Sequence, residues 1–588
     1  MNNAMMDLLL LLYEESYTTQ RDLAKKIGIS TGLVNKGLTK LKDKKYLTKQ
    51  HQLTDKSYRY LKENQPQNAI ILAAGYGIRM IPLNNDFPKG LIEISGQTLI
   101  ERLILQLQEK GIQDITIIVG FMKEKYDFLI DKYGVKLRVN PDYSSKNNLS
   151  SIDLVRDSIS NTYILPCDVW FSENPFHTQE LYSWYTVKDG MDIESNVRKN
   201  RQNELLPVSK NGNKMIGIAY FNQKDANILR QNIKILSQNP EHDNSFWETA
   251  FFINDQDKQI QLYAKTIPEN GSLEINTFED LRSIDDNSKQ LENKAISLIK
   301  EKMNVTMNEI DQVITLKKGM TNRSFLFSVN NTNYIMRIPG EGTDQLINRK
   351  EEAEVYNIIS SKGISDDIIY IDPKIGYKIT RFIDNSRCCD PNDEEDLKKC
   401  MRVLKSFHDL NLKVDHTFDI FEKINYYESL WGDYQSAYPD YQETKDHVMQ
   451  LIPFIDKYKL PYSLTHIDAV PDNFLIAKEN GKEIIRLIDW EYSGMQDSHV
   501  DIAMFSIYSL YSKEEIDRLI DIYFEDNCDI SIRTKIYAYI SACGLLWSNW
   551  CEYKSQLGIE FGEYSLRQYR YAKDYSRLVQ EMVKQYDL

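Results

Sequence analysis

The stretch AIILAAGYGIRMIPLNNDFPK, from Ala69 to Lys89, constrains the fold of this chain more than any other. Ala69 to Leu72 is a short apolar run of strand type. It empties into Ala73, Ala74, Gly75, Tyr76 and Gly77, mostly small residues that let a backbone approach a ligand closely. Successive main-chain N–H groups in such a turn point into one concavity and carry partial positive charge, so they can hold a row of phosphates without side chains. Arg79 and Lys89 then add full charges. A glycine-rich turn after a strand is common by itself. The complete order of strand, LAAGxGxRM, spacer and Pro88-Lys89 is much rarer.

That order resembles the sugar-phosphate and phosphocholine nucleotidyltransferase family, which joins an NTP to a phosphorylated small molecule and releases pyrophosphate. The resemblance implies that Leu72, Ala73, Ala74, Gly75 and Gly77 line the nucleotide, and that Arg79 and Lys89 neutralise phosphate charge during transfer.

At 588 residues the chain is too long for one core, and three or four units are expected. A net charge of −14 and a pI near 5.3 give the whole molecule no general attraction to nucleic acid or to an anionic membrane, so DNA contact requires a locally basic piece. Seven cysteines without CxxC spacing, two of them the adjacent Cys388 and Cys389, read neither as a disulfide framework nor as a zinc site, which fits a cytoplasmic setting. Leu8 to Leu12 is ended by Glu14 and Glu15 well short of a membrane span, so neither export nor membrane insertion is expected.

Residues 1–66 hold twelve Lys and Arg against seven Asp and Glu, a surplus of five that leaves −19 for the remainder of a chain whose net charge is −14. Met5 to Glu15 reads as a helix, and Thr18 to Asp22 as the cap and first turn of a second that Gly28 breaks. A third helix over Gly32–Lys44 places Leu33, Val34, Leu38 and Leu41 on an apolar stripe and Asn35, Lys36, Lys40 and Lys42 mainly outward. Tyr46 to Tyr58 is the expected two-stranded wing. The pattern resembles winged helix-turn-helix domains, whose third helix enters a DNA major groove. Dimerisation, giving a homodimer, and regulation are the alternative roles for such a module.

Beyond Lys89, amphipathic Leu99–Lys110, apolar Ile115–Val119, helical Lys123–Lys132 and strand Lys136–Val139 alternate as in a mainly parallel sheet covered by helices. Ligands bind such sheets at the carboxyl ends of the strands. Tyr163–Trp170 is a further apolar strand that delivers Asp168 at such an end, where a carboxylate needs a cationic partner, in a nucleotide site Mg²⁺. In SLEINTFEDL, Asn276 stands where relatives of the family carry a second aspartate, which removes one charge from the metal site; Glu274 shares its face if the stretch is a strand. By resemblance to phosphocholine cytidylyltransferases, the segment containing Asn140, Tyr143 and Asn148 helps to form the nucleotide site. Trp184, Tyr220, Phe221 and Trp247 are candidates to face a quaternary ammonium, and Trp247 is favoured because Glu248 adjoins it.

Polar Asp285–Asn293 reads as a linker, after which a new apolar pattern begins. In LTHIDAVPDNFLIAKENGKEIIRLIDWEYSG, Asp468 and Asn473 share a loop and Asp489 ends the apolar strand Ile484–Ile488. Phosphoryl transfer needs one carboxylate at the acceptor hydroxyl and oxygen ligands for the metals on ATP, and this segment supplies all three. The motifs resemble the choline kinase and aminoglycoside phosphotransferase branch of the kinase-like fold. The resemblance makes Asp468 the catalytic base and Asn473 and Asp489 the Mg²⁺ ligands. It also makes Thr321 and Asn322 part of the phosphate-covering hairpin, and Arg337 the partner of a helix carboxylate, Glu352 or its competitor Glu351. Near the C-terminus, Trp547 and Trp550 lie one helical turn apart, where two indoles can box a trimethylammonium group, and Glu491 can add charge attraction.

The expected architecture is multidomain: a winged helix (α with a small β wing) over residues 1–66, an α/β Rossmann-like nucleotidyltransferase over 67–292, and an α+β protein-kinase-like domain of choline kinase type over 293–588. The function the resemblances imply is phosphorylation of choline by MgATP followed by coupling of phosphocholine to CTP. The alternatives are the same folds acting on ethanolamine or a sugar phosphate, or a DNA-binding regulator whose enzyme-like domains sense metabolites.

Overall fold

In the computed structural model, which describes residues 3–14, 19–85, 87–171, 173–253, 260–268, 271–316, 322–340, 343, 346–479, 481–556 and 561–588, the chain divides into two compact units, Met1–Asn293 and Lys294–Leu588. Among the described residues no helix is long and apolar enough to cross a membrane.

The first unit opens with helices α1 (Asn3–Glu14), α2 (Gln20–Ile27) and α3 (Thr31–Asp43). Thr19 and Asp22 form a reciprocal cap at the start of α2, and Gly28, at φ 75°, ends it in the left-handed conformation that favours glycine. Leu8, Leu23, Val34, Leu38 and Leu41 close a small core. Two expectations change here. Leu33 is 53% exposed and not part of the apolar stripe, because it sits in the first turn of α3 beyond that core. The wing shrinks to one antiparallel bridge between Leu47 and Leu53, because Thr54 caps a fourth helix, α4 (Asp55–Glu63), that takes over the rest of the expected hairpin.

Seven strands of one sheet follow among the described residues: β1 (Asn68–Ala73), β2 (Asp114–Val119), β3 (Lys136–Val139), β4 (Thr162–Pro166), β5 (Trp184–Asp192), β6 (Gly212–Phe221) and β7 (Tyr263–Ile267), in spatial order β7-β5-β6-β4-β1-β2-β3. β4, β1, β2 and β3 run parallel, while β6 lies antiparallel to both β4 and β5. The central strands are buried on both faces, as their unbroken apolar runs require. Helix α1 and helix α4 pack on this domain through Leu9, Leu61 and Leu181, and the Tyr182 hydroxyl donates to Asp7 Oδ1 at 2.7 Å.

The expected strand Tyr163–Trp170 is broken. It stops at Pro166, turns through Cys167 and Asp168, and resumes as Val169–Phe171, which leaves the sheet to pair antiparallel with Ser272–Glu274. The expected helix Lys123–Lys132 is likewise two pieces, a 3₁₀ turn over Lys123–Tyr126 and an α-helix over Phe128–Tyr133. Asp285–Asn293 is no free linker. Gln290 donates to the Leu91 carbonyl and accepts from the Glu93 N–H, and Asp285 accepts from the Ser95 N–H, so the stretch is fastened to the first unit.

The second unit begins with an antiparallel sheet of β8 (Ile310–Leu316), β9 (Asn322–Val329), β10 (Thr332–Pro339), β11 (Ile368–Ile371) and β12 (Lys378–Arg381), in the order β8-β9-β10-β12-β11, with helix α5 (Arg349–Ile359) inserted after β10. A larger helical lobe follows, in which α6 (Glu394–Asp409), α7 (Val500–Tyr508), α8 (Ile530–Gln556) and α9 (Glu563–Tyr586) share one core. Short ribbons, Ser463–Thr465 with Gly494–Gln496 and Phe474–Glu479 with Lys482–Leu487, carry the loops that hold Asp468, Asn473 and Asp489.

Candidate active sites

In the first unit the turn after β1 opens into a cavity of about 440 Å³ whose walls include Leu72, Ala73, Ala74, Gly75, Gly77, Lys89, Asn148 and Asp168. Gly77 takes φ 61°, and the Asn84 amide ties the turn down by donating to the Tyr76 and Gly77 carbonyls at 3.1 Å each. Tyr76 stacks on Phe121 with ring centroids 4.2 Å apart and lies 6.1 Å from Tyr143, giving the cavity an aromatic side.

The break after Pro166 decides the chemistry. Because Val169 pairs with Glu274, and the Ile275 N–H donates to the Asp168 carbonyl at 3.1 Å, residues more than a hundred positions apart meet. The Lys89 ammonium then bonds the Asp168 carboxylate and, at 2.7 Å, the Asn276 amide oxygen. Burial opposes the Lys89 charge, but Asp168 at bonding distance holds the ammonium above its usual range. Glu274 ends its strand exposed, and its charge adds to that of Asp168 in holding the Lys89 ammonium up. Arg79 is an exposed residue of the 3₁₀ turn Ile78–Met80, outside the cavity lining.

Asn148 holds the Trp247 N–H at 2.8 Å. Of the four candidate cage residues, Trp247 lines the cavity and Trp184, Tyr220 and Phe221 do not. Trp184, Tyr220, Phe221 and Trp247 are all buried core residues; Trp247 meets Phe251 and Phe221 edge-on, and the Trp184 ring already carries Lys265 at 4.1 Å. Large rings fill the sheet-to-helix interior because burying them is strongly favourable.

In the second unit, the Asn473 amide donates to the Asp468 carboxylate at 3.1 Å and to its carbonyl at 2.8 Å. Burial, then Asp489 and Glu491, push the Asp468 carboxyl well above the usual carboxylate range. Asp489 itself takes φ 67°, a conformation unusual outside glycine, at the end of the second ribbon. Arg337 makes a two-pronged pair with Glu352 at 2.6 and 2.7 Å and stands 3.7 Å from Asp489, which resolves the choice between Glu352 and Glu351. Thr321 lies outside the described residues.

Glu491 occupies a different setting from the one expected. Its carboxylate receives the Asn322 amide at 2.9 Å and faces Arg337 at 3.4 Å and Arg349 at 3.5 Å, so it is drawn into a buried cationic cluster. Trp547 and Trp550 do come together, with centroids 5.5 Å apart at 72°, but both are buried, Trp547 against Tyr492 and Trp550 against Phe561. Among the described residues the Trp550 ring N–H and the Tyr427 and Tyr492 hydroxyls are buried without hydrogen-bond partners. The charges of Asp468 and Glu491 act on both tyrosines, so this aromatic nest adjoins the Asp468 loop.

Two residues escaped the sequence reading. Asp501, fully buried at the start of α7, accepts the N–H groups of His466 at 3.1 Å and Ile467 at 2.7 Å, and His408 of α6 reaches it at 2.9 Å. Together they hold the loop that presents Asp468. The available signal was a charged residue in the otherwise apolar run HVDIAMF. Burial pushes His466 down, and its Nε2 is 3.0 Å from the Ile488 carbonyl, consistent with a packing residue.

Three families match the chain: winged helix-turn-helix DNA-binding over residues 1–48, MobA-like NTP transferase domain over 69–186, and choline/ethanolamine kinase over 313–541. Choline-phosphate cytidylyltransferase of Streptococcus pneumoniae is 31% identical over 231 residues, 37% of this chain and 96% of that protein. Protein LicA of Haemophilus influenzae is 28% identical over 262 residues, 42% of this chain and 75% of its own length. The solved choline kinase LicA from Streptococcus pneumoniae is similar over 49% of this chain and 100% of that one, at 28% identity and a TM-score of 0.43. Through its first unit the chain belongs to the choline-phosphate cytidylyltransferase family, and to that nucleotidyltransferase it joins a winged helix-turn-helix module and a phosphotransferase domain of the choline/ethanolamine kinase type.

Proposed function

We propose that the chain makes CDP-choline in two steps: residues 293–588 phosphorylate choline with ATP, and residues 67–292 transfer a cytidylyl group from CTP to phosphocholine, releasing pyrophosphate. The observation that carries this reading is that one chain holds both constellations, Lys89 with Asp168 beside the glycine turn and Asp468 with Asn473 and Asp489 beside an aromatic nest.

In the kinase step, Asp468 accepts the proton of the choline hydroxyl as its oxygen attacks the γ-phosphorus, and the bond to ADP breaks. Burial and the charge of Asp489 raise the proton affinity of the Asp468 carboxylate, which suits it to take a proton. Arg337, fixed by Glu352, presents its charge beside Asp489 on the nucleotide side. In the transfer step a phosphocholine oxygen attacks the α-phosphorus of CTP and pyrophosphate leaves. Lys89 neutralises the charge that gathers on the phosphorus oxygens, and the amides of the glycine turn hold the remaining phosphates.

Asp489 and the Asn473 amide oxygen are hard donors that fit Mg²⁺, as do Asp168 and Asn276, the latter pair with one charge fewer than two carboxylates. Bound there, Mg²⁺ supplies charge neutralisation at the phosphates. The reading also places the enzyme in the cytoplasm, with domains at 1–66, 67–292 and 293–588. It gives residues 1–66 a DNA-contacting role, supported by the exposed Asn35, Lys36 and Lys40 on α3 and by the docking of α1 and α4, not α3, on the nucleotidyltransferase. Incubation of the purified chain with choline, ATP, CTP and Mg²⁺, with products identified by mass, tests the proposal. CDP-choline with pyrophosphate and ADP is the expected outcome, and a clear preference for ethanolamine overturns the choline assignment.

A further inference from the structure

A buried charge beside the aromatic nest of the second unit has no part in the chemistry above. Lys554 lies two residues before the end of α8 and is only 3% exposed. It follows Trp550 by one helical turn, and its ammonium stands 5.7 Å from the centre of that indole. Among the described residues it enters no ion pair. Two acids that would answer it are committed elsewhere. Glu552 accepts from the Ser436 hydroxyl at 2.7 Å and from the Ala437 N–H at 2.8 Å, and Glu491 is taken by Asn322, Arg337 and Arg349. Burial pushes the Lys554 ammonium below its usual range, and the charge of Glu491 opposes this only in part. An ammonium kept from water without a counter-ion is unfavourable, so the position calls for a use.

Its surroundings are those that a trimethylammonium group needs. Trp550 meets Trp547 with centroids 5.5 Å apart and Phe561 at 5.1 Å, and Trp547 meets Tyr492 at 5.6 Å. The charge of Glu491 acts on Tyr427 and Tyr492 as it does on Lys554, so the lysine head and the two tyrosines share one field. Aromatic faces attract a primary ammonium and a quaternary one alike. Two cations do not share such a place, because like charges a few ångströms apart repel strongly where water is excluded. One of them is able to leave. A lysine head rides on a flexible four-carbon stem, and close to a helix end that stem reaches water with little change in the backbone.

We propose that Lys554 is an internal rival of the substrate cation: its ammonium occupies the aromatic nest while the kinase site is empty and withdraws when choline enters, so that it sets the choline concentration at which the kinase works. This deepens the choline-kinase reading and rests on it. Removing the charge of Lys554 then strengthens the binding of a quaternary ammonium. An anionic ligand coming to the same ammonium would give the opposite sign.

The test uses the full chain, comparing wild type with Lys554→Met and Lys554→Arg in calorimetric binding of tetramethylammonium and in KM for choline and for ATP. Tetramethylammonium carries the cation without the hydroxyl, so its binding is read apart from turnover. Lys554→Met is expected to lower both the Kd for tetramethylammonium and the KM for choline at least threefold, with KM for ATP within twofold of wild type. Lys554→Arg keeps the charge and should bring no tightening. A Kd that is unchanged or weaker in Lys554→Met, or an equal tightening in Lys554→Arg, overturns the proposal. Calorimetric binding of ATP reports that the second unit of each variant is folded; should Lys554→Met lose it, Lys554→Gln is read by the same criteria. A wild type that binds tetramethylammonium without phosphorylating choline refutes the kinase reading alone, and Lys554 is then judged on binding; a wild type that binds neither cation refutes both.

Discussion

Asn276 accepts a hydrogen bond from the Lys89 ammonium at 2.7 Å, on the same nitrogen that bonds the Asp168 carboxylate. The lysine therefore bridges one charged and one neutral oxygen ligand. Asn276→Asp adds a second carboxylate to this bridge, and it is expected to lower the Mg²⁺ concentration needed for half-maximal pyrophosphate release several-fold, read by Mg²⁺ titration at saturating CTP. A titration curve identical to wild type would separate Asn276 from the metal.

Lys89→Met removes the charge from the same cluster and leaves the half-buried Asp168 without its cation. Cytidylyl transfer should fall roughly 100-fold or more. Choline phosphorylation by the same sample should not change, which serves as the control for folding.

Asp468→Asn keeps the shape of the loop but cannot accept the hydroxyl proton. The kinase rate should drop roughly 1,000-fold while CTP turnover with supplied phosphocholine is spared. Asp501→Asn acts one step further away, on the backbone of His466 and Ile467, and should lower the same rate while leaving KM for ATP nearly unchanged.

Burial works against the charge of Glu352, but Arg337 and Lys378 hold its carboxyl at about 2, below its ordinary 4.5. The folded value is depressed, so the stability it contributes, on the order of 3 kcal/mol, is present above about pH 4.5 and is lost as pH falls toward 2. Denaturant unfolding of the chain between pH 5 and pH 3 should show the second unit weakening steeply. Glu352→Gln should flatten that slope and lower stability at pH 7, because Arg337 is left buried without its partner.

The outward face of α3 carries Asn35, Lys36 and Lys40. The full chain should retard duplex DNA at low salt, with the retardation fading as salt rises, and Lys36→Glu with Lys40→Glu should abolish it. Retardation unaffected by the double substitution would move the contact away from α3.

Local patterns carried much of the architecture. The strand and small-residue turn of Ala69–Gly77, the cap at Thr19, and the HxDxxxxN loop with IDWE are each written within a few residues, so local pattern, together with resemblance to known families for the turn and the loop, located them. Local pattern does not fix a side chain that has a choice of neighbours. Trp184, Tyr220 and Phe221 read as cage candidates and lie in the core away from the cavity, while Trp247 reaches its wall; Glu491 read as a choline partner and faces two arginines. Pattern cannot separate these outcomes, because an aromatic or an acid has the same spacing whether it faces a ligand or the interior.

By itself, then, the order of residues determined the module types, the phosphate turn and the kinase loop, since these depend on backbone conformation and on contacts close along the chain. Only the tertiary structure decided that the strand would break at Pro166, that Asp168 and Asn276 would meet on Lys89, and that Glu352 and not Glu351 would hold Arg337. The Lys89 pairings join segments far apart in sequence, the Arg337 pair joins a strand to the helix after it, and the energies of both come from desolvation and charge in a shared interior, which exists only once the chain has closed around it.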